Sequence, residues 1–250
     1  LYNDGLLRAV DLADSASEFL GADVHLQSGT DQDQHAEPLD VFVHNGVLYV
    51  ITQGLGDYPH CTETSRALLQ AFDPQSGVPA AVFAGESTLE LAACNPTSYA
   101  LVGDELWLGH TGSHRVHGNT ADDGGVELVD LATGESVGLV VTEADLGQRD
   151  VVTLAANESG VWIAVAGEDF AASVHRLDGA SVGPAVWEAD TGGVFDLELA
   201  FERLWVVDRS VANPGVVVID EVTGEVLAGP LNTGFPPFDA APASFEGGCW

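Results

Sequence analysis

A chain of 250 residues with 39 acidic and 7 basic side chains carries a formal net charge of −32. Such a charge repels phosphate backbones and anionic lipid surfaces, so neither nucleic-acid binding nor membrane insertion is expected, and no apolar run reaches the ~18 residues of a spanning helix. All seven basic residues are Arg, which removes Schiff-base lysine chemistry and the Walker-type phosphate loop.

Twenty-nine glycines and 11 prolines suit many short strands joined by turns. The chain opens on Leu rather than Met, which reads as a product processed or excised from something longer. Leu1-Tyr2-Asn3 reads as the end of a strand, Leu6–Asp11 as a following strand, and Ala22–Gln27 as another. Four paired units come next. Their first strands are predicted over Leu39–His44, Ser98–Val102, Val151–Ala156 and Val194–Ala200. Their second strands, Val47–Val50, Glu105–Leu108, Gly160–Ile163 and Arg203–Val206, place Tyr49, Trp107, Trp162 and Trp205 at one equivalent position. That regularity assigns the Trp side chains to the core rather than to ligand platforms. A fifth first strand is predicted over Pro236–Ala241, with Phe245–Trp250 as an awkward partner.

In each unit an Asp closes the third apolar run, and a Gly or Ser/Thr-Gly turn follows. The copies are Asp73 to Gly77, Asp130 to Gly134, Asp178-Gly179 and Asp220 to Gly224, with Asp11 as a fifth. Strand, Asp-led turn and strand recurring about every fifty residues reads as a β-propeller blade. The expected fold is all-β: one domain over 1–250, a five-bladed β-propeller of four-stranded antiparallel blades. N- and C-terminal strands sharing one blade would close the ring and remove its edges. Leu204-Trp205-Val206-Val207-Asp208-Arg209 leading to Val216–Asp220 resembles the strand–loop–strand of NHL/YVTN-type, quinoprotein-like propellers. The resemblance implies fold and an extracytoplasmic habit, not a reaction.

Successive strands of a blade alternate direction, so loops joining strands two and three share a face with the inter-blade connections. Those loops are long: Gln53–Ser65, His110–Gly124, Gly167–Ala172 and Asp208–Gly215, together with the inter-blade stretch Ser28–Glu37. They collect His35, His60, His110, His114 and His117 beside carboxylates, a set suited to Zn²⁺ or Cu²⁺. Eight residues before the second-strand Leu or Val stand Asp40, Ser98, Thr153 and Asp196, with Asp239 at the matching place in the fifth unit. Equivalent positions on inner strands converge at the axis, where three carboxylates and two hydroxyls offer hard ligands for Ca²⁺. Cys61 and Cys94 fall in adjacent loops of one face and are expected to pair, leaving Cys249 over.

These readings describe an extracellular or periplasmic propeller without chemistry of its own, binding a metal ion or a protein partner on the long-loop face. No organic cofactor is expected. The rivals are a metal-dependent hydrolase, lactonase- or glycosidase-like, working through the axial carboxylates, and a structural repeat module of a larger surface protein.

Overall fold

The computed structural model describes residues 6–10, 19–27, 36–54, 61–62 and 66–241. Strands β1 (Leu6–Val10) and β2 (Phe19–His25) form an antiparallel pair, where the sequence placed the outer strands of an N-terminal half-blade. Four antiparallel sheets of four strands follow, each in chain order. The first blade holds β3 (Pro38–His44), β4 (Val47–Thr52), β5 (Leu68–Phe72) and β6 (Thr88–Glu90). The second holds β7 (Pro96–Val102), β8 (Glu105–His110), β9 (Gly125–Asp130) and β10 (Glu135–Thr142). In the third are β11 (Asp150–Asn157), β12 (Gly160–Ala166), β13 (Ala172–Asp178) and β14 (Ser181–Ala189). The fourth comprises β15 (Val194–Ala200), β16 (Arg203–Asp208), β17 (Gly215–Asp220) and β18 (Val226–Leu231). Among the described residues the sole helical element is a 3₁₀ turn, Arg115–His117, and no helix is long and apolar enough to cross a membrane.

The middle strands are buried on both faces, which is why they read as unbroken apolar runs rather than alternating ones. Ile51, Leu69, Leu106 and Leu108 fill the space between blades one and two. Val126, Val141, Val151 and Ile163 fill the next, and Trp162, Val174, Leu204 and Ile219 the third. Each such side chain contributes about 1.5–3 kcal/mol by leaving water. Of the three repeated tryptophans only Trp162 is fully buried. Trp107 and Trp205 stay half-exposed, their indole N–H groups donating to the Glu105 carboxylate and the Ala200 carbonyl.

The Asp-led turn has one repeated geometry. Asp73 Oδ1 accepts from the backbone N–H of Gln75 and Ser76, Asp130 Oδ1 from Ala132 and Thr133, and Asp220 Oδ1 from Val222 and Thr223. Gly77, Gly134 and Gly224, at φ 67°, 71° and 72°, then donate to the carbonyl of the same Asp. A side chain there would strain the left-handed backbone, which explains the Gly. These bonds stabilise the charged forms, so the pKa values of Asp73 and Asp220 are lowered.

A second repeat was not legible in the sequence. Each inner strand carries a register shift near its start, between Pro38 and Asp40, Pro96 and Ser98, Val151 and Thr153, and Val194 and Asp196. A bulge re-aims the residue that follows it. It therefore sets Asp40, Ser98, Thr153 and Asp196 opposite Ile51, Gly109, Ala164 and Val207, one equivalent pair per blade.

The expected fifth first strand, Pro236–Ala241, is irregular backbone rather than a strand. Pro236 and Pro237 have no N–H to give to a ladder. The segment still lies against β15: Ala240 N–H donates to Asp196 Oδ2 at 3.2 Å, and the Phe195 and Phe238 rings meet edge to face. Leu1–Asn3, Asp11 and Phe245–Trp250, with Cys249, lie outside the described residues.

Candidate functional site

Two groups of polar side chains stand out, one on the inner strands and one among the long loops. The inner strands of the four sheets line a cavity of about 340 Å³ with Asp40, Ser98, Thr153, Asp196 and Glu198, among others. None of its lining residues is basic. Four of the five positions predicted to converge do so here. Asp239 joins them from the C-terminal segment, its carboxyl hydrogen-bonded to that of Asp196. Asp196 is thereby raised above the usual carboxylate pKa, first by burial and then by Asp239, with the Ala240 N–H opposing. Glu198, two residues along and on the same face of β15, is raised by burial and by the charges of Asp196 and Asp239. The sequence reading missed Glu198, although period-two alternation from Asp196 marks it.

Asp40 and Ser98 play other parts. Asp40 lies against the Tyr99 hydroxyl, whose pKa is raised by burial and then by the Asp40 charge. Ser98 Oγ is buried beside Gly109, where a Cβ on that glycine would come within 2.8 Å of it. The carboxylates at this cavity are therefore Asp196, with Asp239 and Glu198 beside it, and Asp40.

On the loop face, Asn95 ties three connections together. Its N–H donates to Gln53 carbonyl, its carbonyl accepts from Thr111, and its side chain donates to Gly112 carbonyl at 2.9 Å. Cys94, next to it, forms the expected disulfide with Cys61, at a Cα separation of 6.3 Å. Ser113 Oγ accepts from Cys61 N–H at 2.8 Å and donates to Asp123 Oδ2 at 2.7 Å. Asp123 N–H in turn donates to Glu143, which also meets Arg115. The loops of blades one and two and the crossover to blade three form one polar network. Glu143 and Asp150 escaped sequence reading because they lie far along the chain from Arg115 and belong to no motif.

The histidines do not converge as one group. His110 ends β8 fully buried, its Nε2 2.9 Å from Glu127 Oε2 and its Nδ1 3.3 Å from Cys94 carbonyl oxygen. Both of its nitrogens are thus turned into the blade. His114 Nε2 lies 3.1 Å from Asn95 Nδ2, and the His114 and His117 rings meet at 5.9 Å. His35 and His60 lie outside the described residues. Among the described residues the one group of three ligand atoms close together is Cys61, Cys94 and Asp123, and both sulfurs are spent in the disulfide.

A larger cleft of about 730 Å³ opens among the tight turns of the opposite face, between blades two and four. Its cation, Arg176, is already engaged by the Val222 and Ser159 carbonyls.

No family profile and no curated protein matches the chain. Solved structures do. The chain is similar to dihydro-haem d1 dehydrogenase NirN in complex with DHE, at 14% identity and a TM-score of 0.50, over 91% of this chain and 44% of that one. It is similar to BamB from Moraxella catarrhalis at 18% identity and TM-score 0.46, over 82% of this chain and 50% of BamB. Kluyveromyces lactis Hsv2 matches at 14% identity and TM-score 0.45, over 88% and 60%. The chain thus spans about half the length of these proteins. At 14% identity the likeness to NirN concerns fold alone: an all-β chain of four-stranded antiparallel sheets, similar to a β-propeller protein.

Proposed function

We propose that this chain is a closed five-bladed propeller that binds a hard divalent cation, Ca²⁺, at its axis and performs no chemistry of its own. The observation that carries the reading is the Asp196–Asp239 pair, crowded with Glu198 at a cavity without a basic residue. The charge of Asp239 raises the pKa values of Asp196 and Glu198, and a cation held between them reverses that cost. Closure is supported from both chain ends. Val24 of β2 packs on Val50 and Phe72 of blade one, while residues 236–241 lie on blade four, so the two ends flank the gap a fifth blade would fill. Kinship with NHL/YVTN-type propellers, and an extracellular or periplasmic setting for the disulfide, belong to the same reading. The Zn²⁺ or Cu²⁺ alternative draws on His114 and His117 alone among the described histidines of the loops.

Elemental analysis and thermal unfolding test this. Protein purified without added metal, then given Ca²⁺, should unfold at higher temperature, and Asp196→Asn should abolish the shift. No shift with Ca²⁺ in the unaltered protein would sink the reading, and a shift confined to Cu²⁺ or Zn²⁺ would move the site to the histidines.

A further inference from the structure

Among the described residues Arg115 and Arg203 pair with carboxylates, and Arg149 and Arg176 donate to a hydroxyl and to carbonyls. Arg209 does neither. It begins the loop between β16 and β17, and its backbone N–H donates to Gly193 carbonyl at 2.9 Å. Its guanidinium has no ion pair or hydrogen bond among the described residues, and its Nε is buried without a partner. Two aromatic rings hold it instead. The guanidinium carbon lies 4.4 Å from the ring centroid of Phe195 and 3.9 Å from that of Phe238. The rings meet at 77° with centroids 5.6 Å apart, so the cation sits in the corner between them.

Both rings face solvent, Phe195 being 45% and Phe238 67% exposed. Val211, two residues beyond Arg209, is more exposed still. Phe170 borders the same place: its carbonyl oxygen lies against Gly193, and the residue is 52% exposed. Phe170 also sits at φ 61°, a backbone conformation that costs a bulky residue about 1–3 kcal/mol. Exposed rings, local strain and an unpaired cation on one edge have a common use. Cation–π contact fixes the plane of a guanidinium and leaves its N–H edge free for a planar acceptor. The acceptor that fits that edge in two parallel bonds is a carboxylate. A polyanion would be repelled by the −32 charge of the chain, whereas a single carboxylate on an apolar body is tolerated.

We infer that Arg209, Phe195 and Phe238 form a binding site for an aromatic or branched apolar group bearing one carboxylate. The carboxylate pairs with Arg209, and the hydrocarbon lies on the two rings and against Val211. Phe195 also lines the axial cavity, so the site opens beside it, but it needs no axial ion.

The test is calorimetric titration of the whole chain with 3-phenylpropanoate and with its uncharged amide. The acid should saturate and bind about tenfold to a hundredfold more tightly than the amide, the worth of a charged hydrogen-bonded pair. Arg209→Gln should erase that difference, and Phe238→Ala should weaken both ligands. Equal binding of acid and amide, or no saturation by the acid, overturns the inference. That comparison uses the unaltered protein and decides the question even if a variant misfolds. Adding N-acetylglycylphenylalanine identifies the source: tighter binding than the free acid assigns the site to a polypeptide C-terminus, weaker binding to a small carboxylic acid.

Discussion

Arg115 and Glu143 meet at 3.2 Å with their side chains 5% and 0% exposed, and one guanidinium there serves three carboxylates. Its terminal nitrogen also reaches Asp122, and its Nε lies 3.3 Å from Asp150 Oδ1. Its backbone N–H donates to Asp150 Oδ2 at 2.8 Å, and Asp123 stands close by. Around the buried Arg115 the two buried carboxylates, Glu143 and Asp150, outnumber the one positive charge, so a proton makes up part of the difference. Burial, then the Asp150 charge, pushes Glu143 up to about 8 against the opposing pull of Arg115, and burial pushes Asp150 up to about 6.

Both folded pKa values lie above the unfolded ones, so the folded chain holds these protons more tightly. The resulting stability is fully present below the unfolded pKa values, near 4, and is lost as pH rises through about 6 and then about 8. A tenfold gain in proton affinity on folding is worth about 1.4 kcal/mol, so the loss across this range is a measurable part of the stability. Glu143→Gln, which keeps the shape and removes the titration, should flatten the fall in melting temperature between pH 5 and pH 8.5 as an approximate working range. An unchanged slope in the variant would show that the network does not set it, leaving the overall charge of −32 as its source.

The Cys61–Cys94 disulfide closes a loop of sequence separation 33. Replacing both cysteines by Ser should cost about 3–4 kcal/mol through the unfolded chain. It should also release the Cys61 N–H to Ser113 Oγ bond, and with it the grip on Asp123. Denaturant unfolding measures the first effect. Peptide masses with and without reductant establish the bond itself, and identical digests would refute it.

His110 should behave as a structural residue. Its imidazole stands against Glu127, which also accepts from the Ala92 N–H and from Ser136 Oγ. His110→Ala leaves that carboxylate buried with a partner missing, a change worth about 3–5 kcal/mol of destabilisation. The variant should therefore melt earlier while its response to Zn²⁺ or Cu²⁺ stays that of the parent. A lost metal response at unchanged stability would reverse this assignment.

Gly125 begins β9 at φ 144°, and a Cβ there would come within 2.2 Å of the Val141 carbonyl oxygen. The obstacle is backbone of the neighbouring strand, which has no rotamer to retreat into. Gly125→Ala should cost about 2–4 kcal/mol by denaturant unfolding. Gly103→Ala, at a turn with open space around it, should cost markedly less.

The blade repeat and its boundaries were legible in the residues, because their causes are local. Asp220 caps the N–H groups two and three positions on, and Gly224 supplies the left-handed backbone that returns a bond to it. Such a turn is written in five consecutive residues. Blade periodicity likewise put Asp40, Ser98, Thr153 and Asp196 in register, and the structure lines one cavity with them. What those residues do there was decided by packing. Bulges before each of them, invisible in one strand alone, set which way they point. Spacing offered His110 as a loop ligand, yet strand β8 runs far enough to bury it against Glu127. Asp196 and Asp239, Arg209 and Phe238, and Arg115 and Glu143 are each brought together across blades or chain segments. The raised pKa values of Asp196 and Glu143 depend on burial and on charges distant in sequence, and only the tertiary structure creates either.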